Sequence, residues 1–393
     1  MKKMTKTLLV STVLAVSAAA CSPAQTQAPA AADALPVMTD AVSYGNAAAE
    51  WQLGTIDDLS YLPSRIPQSS YNRGWVKGAF YIGLERFAEK TNNQEYLNLL
   101  TNESYENGFE MGHRYWHGDD QIFGTIYAGA IERGADPQLL QPTLDVFDNI
   151  IAANYDTSLE FVVPTKEQMG VEGTCQVRWC WADAIFMAPP AWAAISNATG
   201  DMKYLDYAIK ETDATIEYLY DDETGLFFRD SRYFKRKTKN GGKVMWSRGN
   251  GWVYAGLVRL IEEMPASHPR RAAYLDLYKS MTDALISRQR EDGYWPTSLD
   301  DAALFTNPEM SGTAFFAFGI AWGLNQGILS GDKYTDSRDL AWTAMKAAVK
   351  EDGMVGWVQQ IGKDPQGTDK YDSQLYGVGG FLLTAAEMIE AEK

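Results

Sequence analysis

The sequence predicts an all-α fold, an (α/α)6 barrel of six helical hairpins forming a single domain over residues 38–393. Three observations predict it. Twelve segments carry apolar residues at helical period. Between them recurs one theme: a polar turn, then a helix opening on an aromatic-Leu pair. It reads Asn92-Asn93-Gln94-Glu95-Tyr96-Leu97, then Gly200-Asp201-Met202-Lys203-Tyr204-Leu205, then Arg270-Arg271-Ala272-Ala273-Tyr274-Leu275. Third, the first helix of each pair is apolar on nearly every face, whereas the second is amphipathic. A helix apolar all round is buried all round. An inner ring of such helices inside an amphipathic outer ring satisfies both patterns; an open solenoid would leave both layers a solvent face.

The segments run in order 39–52, 76–90, 93–112, 120–133, 137–153, 182–197, 201–219, 249–264, 269–288, 311–328, 334–350 and 374–391. They make six hairpins if the first pairs with the last. Trp75–Phe87, Phe123–Ile131, Ile185–Ile195 and Thr313–Leu324 are the fully apolar inner type, and Tyr204–Tyr218 is the amphipathic outer type. Gly134-Ala135-Asp136-Pro137 and Ser330-Gly331-Asp332-Lys333-Tyr334 supply looser turns, with Gly ending one helix and Asp capping the next. Pro189-Pro190 predicts a kink within 182–197. Strand alternation is scarce, with one short ribbon expected within Gly225–Phe234. Long loops after the outer helices, at 160–181, 222–246, 289–310 and 351–374, are rich in Gly, Trp, Asp and Arg. They alternate with the hairpins and are expected to gather at one end of the barrel and carry function.

The N-terminus is an address. Lys2, Lys3 and Lys6 precede an apolar stretch from Thr7 to Ala20, too short for a stable membrane span. Residues 1–20 therefore read as a signal peptide and 21–37, rich in Ala, Pro, Gln and Ser, as a tether. Ala18-Ala19-Ala20-Cys21 resembles a bacterial lipobox, which makes Cys21 the lipidation site of an exported periplasmic or outer-membrane lipoprotein. Ordinary signal-peptidase cleavage at the same small residues is the alternative. Cys175 and Cys180 are read as unpaired, partly buried thiols, with a local disulfide as the alternative.

Of 393 residues, 35 are Lys or Arg and 51 are Asp or Glu, a formal net charge of −16. That argues against nucleic acid as a partner. Twelve Trp and 21 Tyr offer faces for sugar rings as well as core volume. No nucleophile elbow, phosphate-cradling glycine loop or HExxH motif occurs, and the three His are His113, His117 and His268. Neither a metal nor a cofactor is expected, and the chemistry is expected to be that of carboxylates. The assembly is expected to be a monomer or homodimer.

Three segments carry that chemistry. In His117-Gly118-Asp119-Asp120, one Asp caps a helix and the other points into the barrel mouth, and either assignment fits. In Trp181-Ala182-Asp183-Ala184-Ile185-Phe186-Met187, apolar neighbours desolvate Asp183 and so raise its carboxyl pKa, which suits a general acid; an N-cap is the competing role. In Trp246-Ser247-Arg248-Gly249-Asn250-Gly251-Trp252, Arg248 suits a carboxylate and the Trp residues suit a ring. Just upstream, Arg229, Arg232, Lys235, Arg236, Lys237, Lys239 and Lys243 stand against a single acid, Asp230. At Glu309-Met310-Ser311-Gly312-Thr313, Ser311 is placed to cap a helix and Thr313 to reach a ligand.

These motifs together, with Arg73-Gly74-Trp75, the DDxxxG of Asp119–Gly124 and Tyr376-Gly377-Val378-Gly379-Gly380-Phe381, resemble the unsaturated uronyl hydrolases of glycoside hydrolase families 88 and 105. The resemblance runs from about residue 40 to the C-terminus. It implies an (α/α)6 barrel that removes 4,5-unsaturated uronic acid from polysaccharide-lyase products by hydrating a vinyl ether. It places the acid/base at Asp183 and an orienting carboxylate at Asp119 or Asp120. It places Trp246, Arg248 and Trp252 around the uronate ring and its carboxylate; beside that resemblance, Trp181, Asn250, Ser311, Thr313, Arg229 and Arg232 are candidate substrate contacts read from their segments. The chain departs from the family where many members carry His within 227–232, and at Met310, where Thr is commoner. The extra cations suggest an anionic, even sulfated, aglycone. Two other classes remain distinct: an inverting glycosidase acting on saturated chains, and a saccharide-binding lipoprotein without catalysis. The latter would have Asp183 engaged as a cap, away from any pocket.

Overall fold

The computed structural model describes residues 38–163 and 174–392. Residues 1–37, with the expected signal peptide, the expected tether and Cys21, lie outside the described residues. The helices are α1 (Ala41–Thr55), α2 (Pro67–Ser70), α3 (Trp75–Thr91), α4 (Gln94–Glu106), α5 (Phe123–Glu132), α6 (Gln141–Ala153), α7 (Ala184–Met187), α8 (Pro189–Thr199), α9 (Lys203–Leu219), α10 (Ser247–Glu263), α11 (Arg271–Ile286), α12 (Met310–Asn325), α13 (Asp332–Ala348) and α14 (Leu375–Ala391).

An inner ring runs α3, α5, α7–α8, α10, α12, α14, each packed on the next, and α14 packs back on α3 to close it. Outside it, α1 lies on α14, α4 on α3 and α5, α9 on α8, α11 on α10 and α12, and α13 on α12. The rings stack through aromatic residues: Phe147 of α6 lies flat on Trp192 of α8 at 3.8 Å between centroids. The closing seam depends on glycine. A Cβ on Gly83 would strike the Gly379 carbonyl, and one on Gly379 would strike the Ala79 carbonyl, so the two backbones approach in a way only glycine permits. Burial follows the pattern read from the sequence. In α12 fourteen consecutive residues, Met310 to Gly323, are buried, whereas α11 buries only Tyr274, Tyr278, Met281, Thr282 and Leu285.

Local chemistry explains the differences from expectation. The segment expected over 93–112 ends at Glu106, because Gly108 and Phe109 take positive φ of 60° and 54°. The segment expected over 182–197 is broken between α7 and α8, where Pro189 and Pro190 have no N–H to continue the ladder. The ribbon is shorter and earlier than expected, with β1 (Tyr220–Asp221) antiparallel to β2 (Leu226–Phe227). Cys175 and Cys180 form a disulfide, with Cα atoms 5.5 Å apart, which corrects the reading as free thiols. The short turn between them brings the two thiols within bonding reach.

Candidate active site

The inner helices α3, α5, α7 and α10 begin at a cleft with about 220 Å³ of space for a ligand. Its walls come from the segments leading into those helices: Trp75 before α3, Asp119 before α5, Asp183 before α7, and Trp246, Arg248 and Trp252 at the start of α10. Helix N-termini carry the positive ends of their dipoles, which favours anions in this space.

Asp183 is held by its neighbours rather than by its own helix. Its backbone is αR, and its side chain makes no capping bond. The segment before it is fixed by the disulfide, by Arg178 Nε donating to Glu211 at 2.9 Å, and by Thr215 donating to the Trp179 carbonyl at 3.0 Å. Asp183 Oδ2 accepts from Arg229 Nε at 3.2 Å. Burial raises the Asp183 pKa, opposed by the guanidinium groups of Arg229 and Arg248. Arg229 is shared: its Nη1 donates to Asp230 Oδ2 at 2.7 Å, and Asp230 also takes three bonds from Arg232, two of them from the guanidinium. Asp230 therefore absorbs much of the charge that would otherwise hold Asp183 ionised.

The two adjacent aspartates divide their roles. Asp120 is 1% exposed and is gripped by Arg114 through Nε at 3.1 Å and Nη2 at 2.6 Å. It fixes Arg114 on the wall and does not itself line the cleft. Asp119 does line it, and burial pushes its carboxyl up to about 7, with Asp183 adding like-charge repulsion. Its Oδ1 is buried with no hydrogen-bond partner. His117 lines the same cleft, with Nδ1 3.5 Å from Asp119 Oδ2 and its ring 4.5 Å from that of Trp181. Burial holds His117 well below its ordinary pKa, hence neutral, and its Nδ1 accepts the Asp119 N–H at 3.3 Å.

Arg248 forms the opposite pole. It is 1% exposed and donates to the carbonyls of Gln359 at 2.7 Å and Gln360 at 3.0 Å. Its guanidinium lies over the rings of Trp246 and Tyr376, 4.5 and 4.8 Å from their centroids. Among the described residues no carboxylate lies within salt-bridge distance of it. A buried guanidinium with no carboxylate in contact is a socket for an anion.

Several expected contacts lie elsewhere. Asn250 does not line the cleft; its amide bridges the backbone of Phe227 and Trp246 and so holds the loop together. Ser311 does not cap α12: the buried Glu309 carboxylate does, accepting from the N–H groups of Ser311 and Gly312 and from the Ser311 hydroxyl. Glu309 wins because its two oxygens reach both orphan donors. Thr313 points away from the cleft and accepts the Trp295 N–H at 3.0 Å. Arg232 lies over Phe161 at 3.9 Å, with Asp230 as its partner, and is not on the cleft wall. Conversely, Trp75, Arg114 and His117 are on the wall without having been marked as substrate contacts. The cation five residues ahead of an Asp pair was the available signal for Arg114.

The glycosyl hydrolase family 88 model matches residues 47–392. The chain belongs to glycoside hydrolase family 88. It is thus a glycoside hydrolase on an (α/α)6 barrel. It is 42% identical over 349 residues to an unsaturated 3S-rhamnoglycuronyl hydrolase of Alteromonas sp. (strain LOR), covering 88% of this chain and 84% of that one. It is 35% identical over 327 residues to an enzyme of the same name from Formosa agariphila, covering 81% and 85%. A solved structure described as a polysaccharide lyase superposes with a TM-score of 0.75 at 26% identity, covering 90% of this chain and 97% of its own.

Proposed function

We propose that this hydrolase removes 4,5-unsaturated uronic acid from the non-reducing end of oligosaccharides left by polysaccharide lyases, of rhamnogalacturonan or ulvan type. The observation that carries this reading is the pairing in one cleft of a desolvated carboxyl, Asp183, with a buried guanidinium that has no carboxylate partner, Arg248. The uronate carboxylate neutralises Arg248. Asp183 then gives its proton to C4 of the vinyl ether, and water adds at C5, returning a proton to Asp183. The resulting hemiketal opens and releases the sugar. Asp119 and neutral His117, beside Asp183, orient hydroxyls and the attacking water. The names of the two relatives agree with this substrate class.

The test is the sign of an absorbance change. Hydration consumes the conjugated double bond, so ultraviolet absorbance falls when the enzyme meets lyase-derived oligosaccharides. Eliminative cleavage, the chemistry named for the solved relative, makes it rise on an intact polysaccharide. Hydrolysis of saturated chains alone leaves it unchanged, and either of the last two outcomes refutes the proposal.

We also infer that the chain is exported and lipid-anchored through Cys21. The basic and apolar leader supports this, as does the Cys175–Cys180 disulfide, which suits an oxidising compartment. Cys21→Ser is expected to move the protein from the membrane fraction to the soluble one; a wild-type protein already soluble in cells would contradict it.

A further inference from the structure

Arg229 stands in the sequence as a candidate substrate contact, but its partners give it other work. It is second in a row of alternating charges, Asp183, Arg229, Asp230 and Arg232. Its Nε donates to Asp183 Oδ2 at 3.2 Å, while its Nη1 donates to Asp230 Oδ2 at the shorter 2.7 Å. Asp230 is wholly buried and is shared in turn with Arg232, which donates to it through the backbone N–H at 3.1 Å, Nε at 2.8 Å and Nη2 at 2.7 Å. The backbone ties this row to the acid as well, since the Ala182 N–H donates to the Arg229 carbonyl at 2.8 Å. Asp183 and Arg229 line the cleft, whereas Asp230 and Arg232 do not.

We propose that Arg229 is the catalytic partner of the acid, taking up the negative charge that proton transfer leaves on Asp183, and that Asp230 is the positioning residue that holds it back until then. This deepens the hydrolase reading and rests on it. A donor on Oδ2 makes that atom the carbonyl oxygen of the neutral carboxyl group and leaves the proton on Oδ1. The electron pair of the double bond takes that proton: the Oδ1–H bond breaks, a C4–H bond forms, and positive charge appears at C5 and the ring oxygen. The pair left on Asp183 spreads over both its oxygens, one of which already faces Arg229. The contact at Oδ2 therefore strengthens as the charge develops, which is the condition for lowering a barrier rather than merely binding. Water then adds at C5, and its proton returns to Oδ1. An unshared guanidinium would ionise Asp183 before substrate arrived and leave no proton to give. Asp230 prevents that by holding the other end of Arg229 at the shorter distance. The remaining charged groups that face the pair are Arg248 from α10 and Asp119 from the turn before α5, and the neighbouring His117 is neutral.

The experiment is a set of pH–rate profiles for loss of the double bond. Arg229→Met is expected to lower kcat by about 10²-fold where the acid is protonated, the scale of one donor lost from a developing charge. It is also expected to move the alkaline limb up by about one pH unit, because a cation no longer faces the carboxylate. Asp230 keeps its three bonds from Arg232 in this variant, and the Arg229 backbone contact to Ala182 is untouched. Asp230→Asn is expected to move the limb the other way, down by about one unit, because Arg229 is then free to close on Asp183. If Asp230→Asn does not fold, Arg232→Met carries the same test: Asp230 is no longer shared, holds Arg229 more tightly, and the limb rises. A merely structural role would lower the rate without moving neighbouring members of one row in opposite directions. A limb that stays at its wild-type pH or moves against these signs overturns the proposal and leaves the hydrolase reading standing. So does a kcat for Arg229→Met within about twofold of wild type. A wild-type enzyme that consumes no double bond overturns both.

Discussion

Asp183→Asn is expected to lower kcat by about 10³-fold or more on unsaturated oligosaccharides, the scale of losing a general acid, with the fold unchanged. Both halves of that result follow from the local geometry. The amide keeps the shape of the carboxyl but has no proton to give to C4. The fold survives because Arg229 retains Asp230 at 2.7 Å as its stronger partner, and because Asp183 caps nothing. The measurement is the rate of absorbance loss beside a thermal unfolding curve. Residual activity within about tenfold of wild type would remove Asp183 from the acid role. Asn also removes the burial cost of an ionisable group, so a small gain in stability is consistent with the same account.

The direction of the pH dependence follows from the same burial. Asp183 donates only while protonated, and burial raises its pKa above the usual carboxylate value. Activity is therefore lost as pH rises through that raised value. Asp119 carries the matching cost to stability. Its folded pKa of about 7 lies above the ordinary 3.8, so the folded chain binds this proton more tightly than the unfolded one. That contribution is complete below the unfolded value and is lost as pH rises through about 7.

The barrel was legible because its cause is spread along the chain. Runs such as Phe315–Trp322, apolar on every face, have one way to be buried, and repeating them around a ring leaves one closed solution. Glu309 was harder to read. A capping preference points to Ser311 from sequence alone, and only the fold shows that the helix starts at Met310, which puts Glu309 at the cap with the Ser311 and Gly312 N–H groups on its carboxylate. Asp119 and Asp120 are equivalent in composition and adjacent in sequence. Which one faces the cleft depends on Arg114, whose bond to Asp120 is a tertiary fact of the turn at 112–120. Asp183 was more accessible to reasoning, because its apolar neighbours in sequence are also its neighbours in space. Wall residues such as Trp75 were hidden by a different effect. Placed at the mouth, an inner-helix aromatic looks the same in sequence as a core one.

Arg248→Met is expected to reduce kcat/KM by about 10²-fold or more, in line with losing the partner of a buried carboxylate. Much of the loss should appear in kcat as well as KM. Removing an unpaired buried cation relieves its desolvation, so the folded state should lose little stability although two carbonyl contacts go. Tyr376 still donates to the Gln359 carbonyl at 2.7 Å and keeps that group satisfied. Arg248→Lys keeps the charge but not the planar stack between Trp246 and Tyr376, and should fall between wild type and Met. A loss below about tenfold for Met would mean that the uronate carboxylate is held elsewhere. Arg248 also acts on the acid. In the empty site the Arg248 charge pulls the Asp183 pKa down. A bound uronate cancels that charge, so the substrate itself raises the proton affinity of the acid that will attack it. The alkaline limb of kcat should therefore lie at higher pH than that of kcat/KM, because the first reports the complex and the second the free enzyme. In Arg248→Met the field that lowers the Asp183 pKa in the empty site is gone, so the alkaline limb of kcat/KM should itself move to higher pH.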